Sequence, residues 1–353
     1  FLVFLMAVIK GVDDYADLMR IAAAGAGNDH RLGGNEAPPA IVSIFLGDEL
    51  TAVLESIEKD EYFGKHENIQ LDTGAHVLPH FIKDNTDRNR TSPFAFTGNK
   101  FEFRMMGSSA SVANPNIILN TAVAEALAQF YAELKDTRAE EMEQAVHKLL
   151  KKAILNHKKV IFNGNGYSEE WVKEAEKRGL FNLVSTPDCL PQFIAPKNVD
   201  LFTKHHILTK EEIYSRYEIL LENYVKTIII EARTMAEMLT KDFLPSVSAY
   251  AGEISKNAAS AKTFLPCADT SAEEALVKSL TDSYVSITEE IARLKESIQD
   301  AATMEDMQKA ADFCHCELLS KMETLRLAAN SAEELIPDSM LPYPTYDQLL
   351  FSL

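Results

Sequence analysis

The first part of the chain carries apolar residues at helical spacing. Within 1–24 they recur three or four positions apart at Val12, Tyr15, Leu18, Met19 and Ala22. Side chains at this spacing share one face of a helix, so the pattern predicts a helix over 1–24. Glycines end the pattern, and the glycine-, asparagine- and proline-rich residues 25–40 predict a loop.

Residues 99–106 alternate strictly between two kinds of side chain. One face carries Phe101, Phe103 and Met105, and the other carries Lys100, Glu102 and Arg104. Period-two alternation predicts a strand with two unlike faces. The charged face must meet solvent or a polar cavity, because an unpaired buried charge is costly. Taken alone, the pattern suits an ordinary surface strand with ion pairs as well as it suits a functional site.

Helical patterns dominate the chain beyond about residue 137. The longest predicted helices cover 209–241, 271–301 and 304–330. The last two carry apolar residues at near-heptad spacing, which predicts an antiparallel hairpin that a third helix completes into a bundle. With the strand near residue 100, the patterns predict an α+β protein.

Charge and cysteine content argue against several classes of protein. A formal net charge of -18 argues against a nucleic-acid-binding surface, which would be basic. Four unevenly spaced cysteines in a long chain favour a reducing cytoplasm over a disulfide framework. Cys314 and Cys316 lie two residues apart in a helical pattern, so they occupy different faces, which disfavours a zinc site.

The apolar start of the chain predicts a buried helix and no membrane association. This run is too short to span a bilayer, and it lacks the basic residues that begin a signal peptide. We expect it to be a helix cut at its start, and the chain to be part of a longer protein.

Charged residues suited to phosphoryl transfer surround the predicted strand. Arg31 and Glu36 flank a double glycine, and Arg90 lies in a nearby Asn-Arg-Thr-Ser segment. Arginine binds carboxylate or phosphate through paired hydrogen bonds and keeps its charge. A carboxylate such as Glu102 can ligate a divalent cation that bridges nucleotide phosphates. The glycines permit unusual backbone shapes, so we expect Glu36 on a loop able to close and exclude water.

Three blocks of sequence resemble the glutamine synthetase family. Residues 28–39, Asn-Asp-His-Arg-Leu-Gly-Gly-Asn-Glu-Ala-Pro-Pro, resemble the flap motif of that family. Residues 89–92 resemble its Asn-Arg-Ser segment. The strand Lys-Phe-Glu-Phe-Arg at 100–104 resembles its Arg-Ile-Glu-x-Arg strand, and Asn-Pro at 114–115 resembles the start of its next helix.

The remainder resembles the C-terminal region of type III enzymes, the long bacterial form. An example is Phe-Asn-Gly-Asn-Gly-Tyr-Ser at 162–168. The resemblance implies the C-terminal half of such an enzyme. Residues 1–136 would be the C-terminal part of the catalytic domain, with an antiparallel sheet or partial barrel, and 137–353 a type III-specific helical bundle.

The resemblance also implies roles for the candidate residues. Glu36 would close the site and help to deprotonate bound ammonium. Arg90 would neutralise phosphate charge on ATP and on γ-glutamyl phosphate. Arg31 would bind the substrate glutamate, and Arg104 would contact the glutamate or the transferred phosphate.

The cofactors implied are ATP and Mg²⁺ or Mn²⁺. Glu102 would ligate the metal on the nucleotide side, and Lys100 would lie near the nucleotide. Residues 40–88 exceed the usual connection of the family, and the flap motif is one residue shorter between Arg31 and Glu36. The other metal carboxylates of the family and its ammonium-site aspartate belong upstream of residue 1, so we expect about half a site in this chain.

The reaction implied is ATP-dependent ligation of ammonia to the γ-carboxyl of glutamate, forming glutamine through γ-glutamyl phosphate. The implied partners are glutamate, ammonia and further copies of the chain in a ring. Two alternatives remain at this point. A γ-glutamyl–amine ligase of the same fold would differ in the ammonia pocket, and a non-catalytic helical scaffold for oligomerisation would carry a vestigial site.

Overall fold

A computed structural model describes residues 1–33, 37, 39–61, 70–71, 81–82 and 91–351. These residues are mostly helical and divide into two compact units, Phe1–Leu220 and Leu221–Leu353. Two small sheets accompany the helices, which agrees with the predicted α+β class. The partial barrel stays a prediction.

Unit 1 contains nine named α-helices and the start of a tenth among its described residues. They are α1 (Leu2–Asp14), α2 (Ala16–Ala22), α3 (Ala26–Asp29), α4 (Gly47–Lys59), α5 (Ala113–Leu134), α6 (Met142–His157), α7 (Glu169–Lys177), α8 (Thr186–Cys189), α9 (Pro196–Lys204) and α10 (Lys210–Met238). Short 3₁₀ helices cover Ala139–Glu141, Lys158–Val160 and Leu190–Ile194. The three prolines of segment 182–208 predict an irregular connector, but this segment contains short helices.

Helix α1 forms the centre of unit 1. Its apolar residues from Leu5 to Ile9 and Val12 are buried, which fits a helix that is hydrophobic on most sides. It packs against α5 and α6. At Gly11 the backbones come so close that a Cβ would lie 3.1 Å from the carbonyl carbon of Ala122. The single helix predicted over 1–24 is divided at Tyr15, which lies between α1 and α2.

The main sheet of unit 1 has three short strands. They are β1 (Ile44–Phe45), β4 (Phe94–Phe96) and β5 (Phe101–Phe103), and they lie in the order β1-β4-β5. Strand β4 is parallel to β1 and antiparallel to β5, so the main sheet is mixed and not the antiparallel sheet that the resemblance implied. Two further strands, β2 (Gln70–Leu71) and β3 (Phe81–Ile82), pair in an antiparallel ribbon. The predicted strand over 99–106 is confirmed, with a regular part shorter than predicted.

Unit 2 is built from long helices. After the end of α10 come a π-helical segment (Leu239–Phe243), α11 (Leu244–Phe264), α12 (Ser271–Thr303), α13 (Met307–Phe313), a second π-helical segment (Cys314–Leu318), α14 (Leu319–Glu333), a 3₁₀ helix (Asp338–Met340) and α15 (Tyr346–Leu350). Helix α12 packs on both α11 and α14. Its near-heptad positions from Leu280 to Ile298 are buried as predicted.

Two structural facts bear on the expectations about domains and membranes. Helix α6 packs with α1, so residues just beyond 136 belong to unit 1 by packing. The division at residue 136 concerned family resemblance and stays a prediction. Among the helices described, none combines the length and the apolar content that crossing a bilayer requires.

Candidate active site

The charged face of β5 carries a cluster of three ionic side chains. Glu102 lies in the middle of the strand, paired in register with Ala95 of β4. Its Oε1 is 3.2 Å from Lys100 Nζ, and its Oε2 is 2.9 Å from Arg104 Nη2. Side chains two apart in a strand point to the same side, so the sequence pattern itself brings these groups together. The structure thus confirms the predicted grouping of the three residues.

The carboxylate of Glu102 is held in its ionised form. Hydrogen bonds from Arg104 and then Lys100 lower the pKa of Glu102. The side chain of Glu102 is 36% exposed and that of Lys100 is 63% exposed. An ionised, reachable carboxylate is the kind of ligand that Mg²⁺ or Mn²⁺ takes. The same ion pairs would also occur on an ordinary surface strand.

Aromatic packing supports the strand from the opposite face. The Phe94 and Phe101 rings stack with centroids 5.0 Å apart, and Phe103 lies at a tilt 6.2 Å from Phe94. Phe94 is fully buried. Aromatic pairs at such distances stabilise the packing beyond the burial of their surface. These rings therefore hold β5 in place on the side opposite its charged face.

Arg31 lies beside the end of β5. Its Nη1 donates to the carbonyl of Met105 at 3.1 Å and to Asn28 Oδ1 at 3.2 Å, and its Nη2 donates to the carbonyl of Arg104 at 3.4 Å. Arg31 therefore contacts the backbone of the strand that carries Glu102 and Arg104. It also lines a cavity of about 450 Å³ whose wall includes the serine-rich residues 108–111.

Glu36 and Arg90, the two predicted catalytic residues, lie outside the described residues. Their neighbours in the sequence are described. Gly33 has a φ of +77°, in the region that favours glycine, as the double-glycine turn predicted. Thr91 accepts a hydrogen bond at its Oγ1 from the Gly166 amide at 2.9 Å. The segment 162–168 thus contacts the residue that directly follows Arg90.

No role was predicted for Asn28 and Asp29, which begin the block 28–39. Asn28 Nδ2 donates to the carbonyls of Ala23 at 2.6 Å and Met105 at 2.9 Å, which joins the end of α2 to the exit of β5. Asp29 is bonded to Arg20 and to Thr186. The signal available in the sequence was the helix-capping chemistry of adjacent Asn and Asp before glycines. The contact between Asp29 and Thr186 joins residues 157 positions apart, so the local sequence could not predict it.

Other candidate groups in the described part of the chain have structural explanations. Asp13, Asp14 and His157 lie close enough to hold a metal, but Lys10 bonds Asp14 at 2.7 Å and Lys159 lies 3.5 Å from Asp13. These cations balance the carboxylates, so we read the group as an ion-pair network. Its members lie in α1, in α6 and just after α6, so the network joins these two helices.

The cysteines show no features of a catalytic or zinc-binding site. Cys314 is buried and Cys316 is exposed, and no group of potential metal ligands among the described residues contains either of them. Cys189 is buried, and that burial raises its pKa to about 12, so it stays a protonated thiol. A nucleophilic cysteine requires the opposite shift.

Comparisons with known proteins point to one family. Residues 145–262 match the family model described as Glutamine synthetase C-terminal domain. The chain is 48% identical over 354 residues to a glutamine synthetase of Butyrivibrio fibrisolvens, covering 100% of this chain and 50% of that protein. It is 38% identical over 356 residues to a type-3 glutamine synthetase of Dictyostelium discoideum, covering 99% of this chain and 48% of the relative.

A third relative extends the pattern. The chain is 34% identical over 361 residues to a glutamine synthetase of Bacteroides fragilis, covering all of this chain and 50% of that protein. The chain spans about half the length of the curated relatives it matches. The chain is thus similar along its whole length to half of three relatives that carry the name glutamine synthetase, and residues 145–262 are similar to the C-terminal domain of that family.

Proposed function

We propose that the protein containing this chain ligates ammonia to the γ-carboxyl of glutamate at the expense of ATP. The product is glutamine, and the intermediate is γ-glutamyl phosphate. The observation that carries the proposal is similarity to glutamine synthetases over the whole chain. The charged face of β5 suits this reaction, since Lys100 and Arg104 can stabilise the negative charge that develops on phosphate oxygens.

The proposed roles follow from the chemistry of the described side chains. Glu102 would hold a divalent cation, which would supply Lewis acidity toward the nucleotide phosphates. Arg104 exchanges part of its contact with Glu102 for the glutamate or the transferred phosphate. Lys100, the most exposed of the three, contacts the nucleotide. Other residues would supply further ligands, since one carboxylate supplies two oxygens at most.

Three roles rest on sequence resemblance. Glu36 closes the site and assists deprotonation of ammonium, and Arg90 stabilises charge on the transferred phosphoryl group. Arg31 binds the substrate glutamate. Its contacts with the carbonyls of Met105 and Arg104 support this role, because they hold its guanidinium beside the strand that carries the metal ligand. Exclusion of water protects an acyl phosphate from hydrolysis, which is the purpose of a closing loop.

We further propose a cytoplasmic homo-oligomer. All four cysteines are free thiols, which suits a reducing compartment. The oligomer rests on family resemblance, and light scattering on the purified protein measures it directly.

The test is an ammonia-dependent assay on the full-length gene product that contains this chain. Purified protein receives ATP, glutamate, ammonium and Mg²⁺, and both phosphate and glutamine are measured. We expect the two products in equal amounts, and phosphate release that depends on glutamate. Equal turnover with a primary amine in place of ammonium would favour an amine ligase, and no turnover with any amine would favour the scaffold.

Glu102→Ala links the activity to the described site. We expect this substitution to lower metal-dependent turnover by at least about a hundredfold, since it removes a ligand of the reacting complex. Glu133→Ala is the matched control, because Glu133 also forms an ion pair with a lysine, Lys152, at 3.0 Å on the surface. Unchanged turnover and metal dependence in folded Glu102→Ala protein would remove Glu102 from the site.

A further inference from the structure

A largely buried network joins helix α3, which ends two residues before Arg31, to residues 183–186. The carboxylate of Asp29 accepts from Arg20 Nη2 at 2.8 Å, from the Thr186 amide at 2.7 Å and from Thr186 Oγ1 at 2.9 Å. The Arg20 side chain is 1% exposed and that of Asp29 is 12% exposed. Charge-assisted hydrogen bonds in such a dry setting are strong and directional.

Arg20 also binds the backbone of the same distant segment. Its Nε donates to the carbonyl of Leu183 at 2.8 Å, and its Nη2 donates to the carbonyl of Val184 at 3.0 Å. These residues are 163 and 164 positions from Arg20 in the sequence. Residues 183–186 are therefore held against α2 and α3 by bonds to one arginine and one aspartate.

Thr186 contacts both ends of α3. Its Oγ1 accepts from the amide of Gly25, the N-cap of α3, at 2.7 Å, while the same hydroxyl donates to Asp29 at the last position of α3. A helix of four residues has almost no stability of its own, because most of its bonds go to closing the first turn. The Thr186 hydroxyl therefore helps to hold α3 in position from both of its ends, together with the bonds of Asn28 and Arg20.

The position of Arg31 depends in turn on α3. The Arg31 amide donates to the carbonyl of Asn28 at 3.1 Å, and its guanidinium bonds Asn28 Oδ1 at 3.2 Å. A shift of α3 would therefore move the guanidinium relative to the end of β5. Misplacement of a substrate-binding group by about 1 Å can cost up to about a hundredfold in rate.

We infer that Thr186 and Asp29 are positioning residues for Arg31. Through them, the contact of residues 183–186 with α3 influences the affinity for glutamate. The inference rests on the proposed function. In this inference Thr186 and Asp29 act through Arg31 and do not themselves contact the substrate. The structural basis is the contact of one hydroxyl with both ends of the helix that leads into Arg31.

Thr186→Val separates the hydroxyl from the shape of the side chain. Valine fills the same space, but it leaves the Gly25 amide and one Asp29 oxygen without this partner in a buried place. In the full-length enzyme we expect the KM for glutamate to rise about tenfold, the equivalent of 1.4 kcal/mol. We expect the KM for ATP to stay near the wild-type value. Thr186→Ser keeps the hydroxyl and should restore the KM for glutamate.

Thr121→Val is the matched control for loss of a buried hydroxyl. Thr121 is 5% exposed, and its Oγ1 donates to the carbonyl of Ile117 within α5 at 2.7 Å. We expect this variant to lose some thermal stability and to keep both KM values. A change in the KM for glutamate that appears in Thr186→Val alone cannot come from general destabilisation.

The outcomes separate this inference from the proposed function. Wild-type protein without glutamate-dependent phosphate release refutes the function. An active wild type together with a folded Thr186→Val variant of unchanged KM for glutamate refutes only the positioning role, as does an equal rise in both KM values. Asp29→Asn provides the same readout if the valine variant does not fold, since it removes the charge that Arg20 and Thr186 bind.

Discussion

Gly166 shows how one residue of unit 1 constrains the chain beside the candidate site. A Cβ at Gly166 would lie 2.4 Å from the carbonyl oxygen of Thr91 and 3.3 Å from Pro39 Cγ. Thr91 follows Arg90 in the sequence, and Pro39 lies three positions after Glu36. The absence of a side chain at Gly166 therefore permits the contact between segment 162–168 and the neighbours of both predicted catalytic residues.

Gly166→Ala should lower both stability and activity. The added methyl group meets backbone, which cannot rotate away, and overpacking of this kind costs about 1–3 kcal/mol. Urea unfolding measures the loss, and the ammonia-dependent assay measures the change in turnover. Gly252→Ala is the matched control, because nothing lies near its Cβ in helix α11, and alanine should stabilise that helix by about 0.5–1 kcal/mol. If Gly166→Ala is as stable as Gly252→Ala, the backbone at Thr91 moves to make room for the methyl group without loss of stability.

Residue-scale predictions from sequence succeeded where the contact was local. The grouping of Lys100, Glu102 and Arg104 followed from strand alternation alone, since residues two apart share a face. The contacts of Asp29 with Thr186 lie 157 positions apart, and no periodicity reports a contact of that separation. The roles of Glu36 and Arg90 stay predictions.

At the scale of elements, local capping signals were a mixed guide. A serine just before a helical pattern predicts an N-cap, and Ser168 caps α7 in this way, since its Oγ accepts from the Trp171 amide at 3.2 Å. The Thr209 and Glu212 pair also forms a reciprocal cap at the start of α10. Ser331 and Glu334 have the spacing of a capping box, which predicts a helix start, but Ser331 lies inside α14 and bonds back to the carbonyl of Leu327 at 3.1 Å. The same hydroxyl chemistry suits both positions, so tertiary packing decides between them.

Helix ends were predicted less well than helix positions. The helix predicted over 209–241 continues through a π-helical segment at Leu239–Phe243 into α11. The helix predicted over 304–330 contains a second π segment at Cys314–Leu318. A π turn shifts the register of the apolar face by one residue, so a pattern with a single helical period does not reveal it.

Glu125 fixes α5 to α9 through an ion-pair cluster whose strength depends on pH. Its carboxylate accepts from Lys204 Nζ at 2.7 Å, from Gln129 Nε2 at 2.7 Å and contacts His205 Nε2 at 2.7 Å. Burial alone would raise the pKa of Glu125, but the hydrogen bonds from Lys204, Gln129 and His205 outweigh it and lower the pKa to about 2. The ionised form is therefore the one that stabilises the fold.

Glu125→Gln should lower stability at neutral pH, and the difference from wild type should shrink in acid. A pKa lowered in the folded state gives stability that is present above the unfolded value of about 4.5 and is lost as the pH falls toward 2. The lowered pKa of Glu125 corresponds to at most about 3 kcal/mol of the free energy of unfolding at pH 7. Urea unfolding of both proteins between pH 7 and pH 3 measures the difference. A difference that stays constant across this range would show that ionisation of Glu125 does not stabilise the fold.

At the scale of the whole molecule, each unit has its own apolar core. Leu18 in α2 and Leu294 in α12 are both fully buried, the first in unit 1 and the second in unit 2. The boundary at residues 220 and 221 falls inside α10, so one continuous helix belongs to both units. Separate cores allow separate opening of the two units, since local stability follows the packing of each core.

Leu294→Ala and Leu18→Ala test this independence as a matched pair. Each removes the same atoms from a fully buried site, so each should cost about 2–5 kcal/mol in its own unit. Native-state hydrogen exchange reports each core directly. We expect Leu294→Ala to accelerate exchange in α11, α12 and α14 and to leave α1 and α2 unchanged, and Leu18→Ala to do the reverse. If either variant accelerates exchange in both cores equally, the two cores do not unfold independently, which would contradict this prediction.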